Sequence, residues 1–407
     1  WLRKGTYALS SSPAEASSLG GAVTVRGGFD GTEVTSDDRT SQDVSTIDGV
    51  GQYSGLAFSN AQSVEFEQVR FTRTKGFAVR KTSGSGALAF RKCRISSNLF
   101  GNTGFSNAGV AQTFGSWSIN NFGGVVQGYG ATAAMFTAED CVFDGNALDG
   151  STFNVSGGAV GLVSFFRATF DNCLFASNSV PSGEGAGVCV GTYATSVKMN
   201  GCAFRGNYAV TKRASVVAFW ENRPAELDHC LFAGNYCPGV DSAGSGIVRR
   251  WASVLKDDVS STFRNCTFAY NILAQSGVLS IGTNQKSVTV DDSIFFGNVK
   301  VSANKGAGYA TGTDISYESG AITVRRTLFG GEGTAYVDTW GSSASGSATL
   351  TDCVFANPKF VTTTAEFRQL FGVDTIPLDQ TTTFPGYDKA VTLDCHVRRG
   401  SKAIDAG

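Results

Sequence analysis

"CAFRGN" spans Cys202–Asn207. Twenty-eight residues later the chain reads "CLFAGN" (Cys230–Asn235), and thirty-six after that "CTFAYN" (Cys266–Asn271). Further copies begin at Cys93 ("CRISSN"), Cys141 ("CVFDGN"), Cys173 ("CLFASN") and Ser293 ("SIFFGN"). All seven end on an asparagine: Asn98, Asn146, Asn178, Asn207, Asn235, Asn271 and Asn298. Degenerate copies follow at Thr327 ("TLFGGE") and Cys353 ("CVFANP"), and an early one stands at Val69 ("VRFTRT"). The steps from Val69 onward are 24, 48, 32, 29, 28, 36, 27, 34 and 26 residues. A shared hexad on a variable step implies one stacked unit joined by loops of unequal length. The step of 48 hides either an extra repeat or one long loop.

The residues around each hexad say what the unit is. "SVTVDDSIFFGN" alternates apolar Val288, Val290, Ile294 and Phe296 with polar neighbours, which is the period of a strand with one buried face. Upstream lie runs of small and β-branched residues: "GGAVGLV" from Gly157, "GAGVCVG" from Gly185, "ASVVAFW" from Ala214, "GSGIVRR" from Gly244 and "SGVLSIG" from Ser276. Each repeat therefore offers two or three short strands divided by Gly, Ser and Asn turns. No segment sustains a helical period. The expected fold is all-β: a right-handed parallel β-helix, a solenoid of about ten rungs with an irregular C-terminal cap. Its handedness rests on the general rule for parallel crossovers. Residues 1–357 are expected to form the solenoid with its N-terminal cap region, and 358–407 a C-terminal capping segment of the same domain.

Stacked rungs lie about 4.8 Å apart, so equivalent residues sit above one another. Cys and Phe, two apart in the hexad, share the inward face. The seven asparagines are expected to form a hydrogen-bonded amide ladder where the chain leaves the strand. Six of the ten cysteines hold the inward hexad position and are expected to stay free, since parallel side-chain vectors suit a disulfide poorly. Cys202→Ser is expected to bury an unpaired hydroxyl.

Composition narrows the function. The net charge is −1 and only 16% of residues are charged, which argues against a nucleic-acid partner. The sequence has no apolar run long enough for a transmembrane segment and opens on no signal peptide. Its abrupt start and stop are expected of a mature or trimmed piece of a longer precursor. With two histidines and no CxxC pair, no metal site or other cofactor is expected.

Repeated FxxN (Phe143, Phe175, Phe204, Phe232, Phe268, Phe295) beside GGAV (Gly20, Gly157) resembles the polymorphic outer-membrane proteins and related secreted bacterial right-handed β-helix proteins. The segments "VRGGFDGTE" from Val25 and "GSKAIDAG" from Gly400 are similar to the start and end of large secreted β-helix proteins. The resemblance implies an extracellular or bacterial cell-surface location. It leaves the chemistry open, because adhesins, polysaccharide lyases and glycoside hydrolases share this fold.

Outward side chains and loops are where such a solenoid would act. An aromatic follows the small-residue strand in four successive repeats: Phe165, Tyr193, Trp220 and Trp251. Glu221, Arg223, Arg249 and Arg250 stand beside them. If these rings are exposed in one stripe, they suit a polysaccharide or cell-surface glycan; otherwise they pack under a loop or against a self-assembly partner. The long segment between Cys93 and Cys141 is the second candidate contact surface. The expected function is adhesion, polysaccharide contact or extracellular assembly without catalysis. The alternative is a lyase or glycoside hydrolase acting on an acidic polysaccharide. A lyase base would come from Arg223, Arg250 or Lys256. A hydrolase would draw on Glu139/Asp140, Asp257/Asp258 or Asp291/Asp292. The position before each hexad (Asp140, Asn172, Gly201, His229, Asn265, Asp292, Asp352) forms an outward polar stripe, either a solvated face or a loose site for Ca²⁺ or substrate.

Overall fold

Each alternating run forms a strand whose backbone partners lie one repeat away. Phe204 pairs in parallel register with Phe175 on one side and Phe232 on the other. Repeated through the chain, this builds a parallel β-helix. The computed structural model describes residues 1–12, 21–33, 35, 44–58, 63–81, 85–101, 110–114, 117–122, 124–129, 134–149, 155–163, 167–180, 183–191, 196–210, 215–220, 224–238, 246–251, 260–273, 277–282, 287–300, 310–311, 314–330, 337–339, 346–371 and 387–403.

Four long sheets make the walls, one of them an 8-stranded sheet that follows the asparagine turns, from Leu99–Gly101 to Ala310–Thr311. The hexads form a 12-stranded sheet from Gly5–Ala8 to Val354–Phe355. The runs just before them form an 11-stranded leading sheet from Val23–Arg26 to Ser347–Thr351. The small-residue runs form a 10-stranded sheet from Leu56–Phe58 to Val337–Thr339. The 48-residue step holds no extra rung, because Val142 pairs directly with Arg94. It contains an antiparallel hairpin, Val110–Phe114 with Trp117–Phe122, joined by Val155–Ser156 and Gly183–Glu184 in a small side sheet.

The hexad now has a residue-by-residue account. The residue ahead of it takes a left-handed backbone in rung after rung: φ is 52° at Asp140, 51° at Asn172, 52° at His229, 53° at Asn265 and 48° at Asp292. Asn and Asp tolerate that conformation better than branched residues do, which explains the polar composition of the stripe. The first and third hexad positions then point inward. Cys202 and Phe204 are buried, and the rings from Phe143 through Phe175, Phe204, Phe232 and Phe268 to Phe295 stack at 4.7–4.9 Å with tilts of 2–9°. The fifth position is again left-handed, at φ 62° for Gly234. The sixth turns the asparagine inside.

The seven asparagines align as expected. Asn178 Nδ2 donates to Asn207 Oδ1 at 3.0 Å, and the Asn178 backbone N–H donates to the same oxygen at 3.1 Å. Its second amide hydrogen goes to the Phe143 carbonyl at 2.9 Å. The pattern repeats from Asn98 to Asn298, so buried amides are satisfied one rung at a time. The hexad cysteines form no disulfide. Cys173 and Cys266 donate to the carbonyls of Asp171 and Arg264 two residues back, at 3.3 and 3.2 Å. Burial pushes the Cys93 and Cys237 thiols well above the ordinary range.

The segment after Pro358 lies along the flank of the hexad sheet. A helix, Thr364–Phe371, opens with a capping box: Thr363 N–H donates to the Glu366 carboxylate at 2.6 Å and Glu366 N–H donates to Thr363 Oγ1 at 3.2 Å. Phe360, Phe367, Phe371, Ala390 and Leu393 form a second apolar cluster with Ala233, Tyr270 and Phe296. Gly234 lies in this contact: a Cβ there would come within 2.6 Å of Ala390 Cβ.

Candidate functional site

Of the four stripe aromatics, Trp220 is the one whose side chain is described, and it is packed rather than exposed. Trp220 pairs in register with Trp251, and Ala218 and Phe219 pair with Arg249 and Arg250. Yet every residue of Ser215–Trp220 is buried, and Trp220 itself is 2% exposed. The reason is lateral cover. Glu184, on the short strand Gly183–Glu184, is buried against this face and pairs with Arg249 at 2.8 Å. The Arg249 guanidinium sits over the Trp220 ring at 5.5 Å. A cation between a carboxylate and an indole is a packing unit closed to a sugar. Tyr193, Glu221, Arg223, Phe165 and Lys256 lie outside the described residues, as does the Trp251 side chain.

The carboxylate pairs proposed for hydrolysis are engaged elsewhere. Asp291 receives Arg325 through two bonds at 2.8 and 2.7 Å, and Asp292 receives Arg326 at 2.7 and 2.8 Å. The Arg326 side chain holds the Asp292 carboxyl below its usual range, so it is a poor proton donor near neutral pH. Glu139 reaches Arg91 at 3.8 Å, while Asp140 accepts from Asn172 Nδ2 at 3.4 Å. Asp257 and Asp258 lie outside the described residues.

The described surface does gather polar groups on the outward face of the leading sheet. Its central row reads Thr137, Thr169, Lys198, Glu226, Thr262, Thr289 and Thr323, each in register with the next. Lys198 and Glu226 are exposed and paired at 2.6 Å. Beside them Asp228 collects three neighbours: His229 Nδ1 at 2.9 Å, Asn265 Nδ2 at 2.8 Å and Arg264 Nε at 3.6 Å. Lys198, Asn200, Glu226, Asp228, Thr262 and Arg264 line a shallow depression of about 160 Å³. The sequence holds a signal for it, since alternation in "VKMN", "ELDH" and "TFRN" puts these side chains outward. A larger open groove of about 560 Å³ lies between the flanking helix and the turn Tyr387–Thr392. Its carboxylate, Glu366, is committed to the helix cap.

A family described as "Right handed beta helix region" matches residues 125–329, the stretch that carries the complete hexads from Cys141 to Ser293 and the degenerate copy at Thr327. The chain belongs to this family. The hand expected of the crossovers is the family's own. The match is to right-handed β-helices in general, not to the narrower outer-membrane type that the FxxN and GGAV motifs resemble. No curated protein matches the chain in sequence. Among solved structures it is similar to PfbA, a surface adhesin of Streptococcus pneumoniae, at 10% identity and a TM-score of 0.33, covering 87% of this chain and 81% of that one. That likeness is too remote to bear on function. No helix among the described residues is long and apolar enough to cross a membrane.

Proposed function

We propose that this chain is a non-catalytic cell-surface or extracellular protein that contacts glycans through the outward face of its leading sheet. The observation that carries this reading is the cluster around Lys198, Glu226 and Arg264. It is a set of exposed and half-exposed hydroxyl, amide, carboxylate and cationic groups on adjacent strands of one sheet, lining a shallow depression. Such a surface suits the rim hydroxyls of a polysaccharide, and Arg264 and Lys198 suit its acidic groups. The engaged state of Asp291 and Asp292 favours binding over hydrolysis.

The test is a binding screen against neutral and acidic polysaccharides with the triple variant Lys198→Ala, Glu226→Ala, Arg264→Ala. Wild-type binding that is lost in the variant at an unchanged melting temperature supports the proposal. Equal binding by both proteins removes this face from consideration. Release of reducing ends or unsaturated products by the wild type would overturn the non-catalytic part.

A further inference from the structure

Arg249 and Arg250 are neighbours in the strand Gly246–Trp251, and alternation sends them to opposite faces. Arg249 points outward and meets Glu184. Arg250 takes the inward row, where its register partners are Phe219 and Ile281, both part of the apolar core. It is 1% exposed, and Nε, Nη1 and Nη2 have no hydrogen-bond partner among the described residues. Burial lowers its pKa to about 10, with no contribution from a charge among the described residues, so the guanidinium stays cationic at neutral pH.

A buried cation without a counter-charge is among the costliest arrangements a core can hold. The same rung holds one further inward polar side chain. Where the chain re-enters the interior, the inward row of the leading sheet reads Val197, Ala225, Ser261, Val288 and Ile322, apolar except at Ser261. Ser261 is 1% exposed. Its Oγ accepts from the Ala225 N–H at 3.0 Å, which leaves the hydroxyl hydrogen to donate. Arg250 and Ser261 hold inward positions in consecutive strands of one rung, and Phe219 with Ala225 and Ile281 with Val288 hold the equivalent positions in the rungs on either side.

We propose that Arg250 and Ser261 hold a small monovalent inorganic anion inside the β-helix. One guanidinium supplies a single positive charge, and the apolar neighbours supply no donors for a second negative one. The guanidinium N–H groups and the Ser261 hydroxyl are the donors that a halide or a nitrate-sized oxyanion accepts.

The full chain is melted at constant ionic strength while gluconate, too bulky for the interior, is replaced stepwise by bromide. The expected result is a melting temperature that rises and saturates with bromide. Arg250→Met should abolish the response, because an apolar side chain fits a row of Phe and Ile. Ser261→Ala should shift the half-saturating concentration several-fold upward. Anomalous diffraction from bromide-grown crystals should show a peak within hydrogen-bond reach of the guanidinium. A wild-type melting temperature indifferent to bromide, or a response that persists in Arg250→Met, overturns the proposal. If Arg250→Met does not fold, absence of the anomalous peak in the wild type overturns it instead.

Discussion

Asn298 Nδ2 donates to Asp314 Oδ1 at 3.0 Å, and with that bond the amide ladder ends on a buried carboxylate. Asp314 is 6% exposed, and burial pushes its pKa up to about 7, against the pull of the Asn298 hydrogen bond. An unfolded aspartate ionises near 3.9. Between those values the folded chain keeps a proton that the unfolded chain has lost. The stability from this group is full below about pH 4 and falls as pH rises towards 7. Asp314→Asn keeps the acceptor and removes the titration. Chemical denaturation from pH 5 to 8 should show the wild type losing stability relative to Asp314→Asn, with the gap widest at pH 8. A constant gap across that range would mean that Asp314 is already ionised at pH 5.

Inside the ladder each asparagine serves two neighbours. Asn207 Oδ1 accepts from the Asn178 backbone and side chain, and its Nδ2 donates to the Phe175 carbonyl and to Asn235. Asn207→Ala strands two donors of Asn178 in a buried core. At roughly 1–3 kcal/mol for each stranded group, the loss should be about 2–5 kcal/mol. Asn207→Asp keeps the acceptor but places a charge against the Phe175 carbonyl, so it should be worse at pH 7 than at pH 4. Urea midpoints at the two pH values check both statements.

The ladder was legible because it repeats: Asn at a fixed place in every hexad leaves a parallel stack as the simplest arrangement. Its terminus was not legible, since Asp314 sits in no hexad. The burial of Trp220 was hidden for a related reason. Periodicity placed Trp220 over Trp251 correctly, but exposure depends on what covers the sheet from outside. That cover includes Glu184, from a strand two residues long with no hexad of its own. The polar stripe ahead of the hexads was visible as composition, while its cause, a left-handed turn at each rung, is a backbone property.

Phe204 stacks between Phe175 and Phe232 with both centroids at 4.7 Å. Phe204→Ala should cost about 3–5 kcal/mol by opening a cavity in the column. Cys202→Ser should be far milder than an unpaired buried hydroxyl implies. The chain already carries serine at this position of another rung, where Ser293 Oγ donates to the Asp291 carbonyl at 2.7 Å and accepts from Cys266 N–H at 3.1 Å. In Cys202→Ser the Asn200 carbonyl, now approached by the thiol at 3.6 Å, is the matching acceptor. The expected cost is below about 1.5 kcal/mol. Denaturation curves for the two variants should differ clearly in midpoint, and equal losses would refute the distinction.

Packing and recognition at Trp220 are separable by substitution. If the Glu184–Arg249–Trp220 unit is structural, removing its carboxylate takes the ion-pair partner from a buried guanidinium. Glu184→Ala should then cost about 3–5 kcal/mol. Replacing the unit with apolar residues, Glu184→Leu with Arg249→Met, should recover most of that loss, because no charge remains to be satisfied. Glycan binding by the double variant should equal wild type, since these side chains are closed to solvent and the exposed row around Lys198 is untouched. Thermal melts and the polysaccharide screen on the same three proteins decide it. A Glu184→Ala protein as stable as wild type but unable to bind would place recognition back on the Trp220 face.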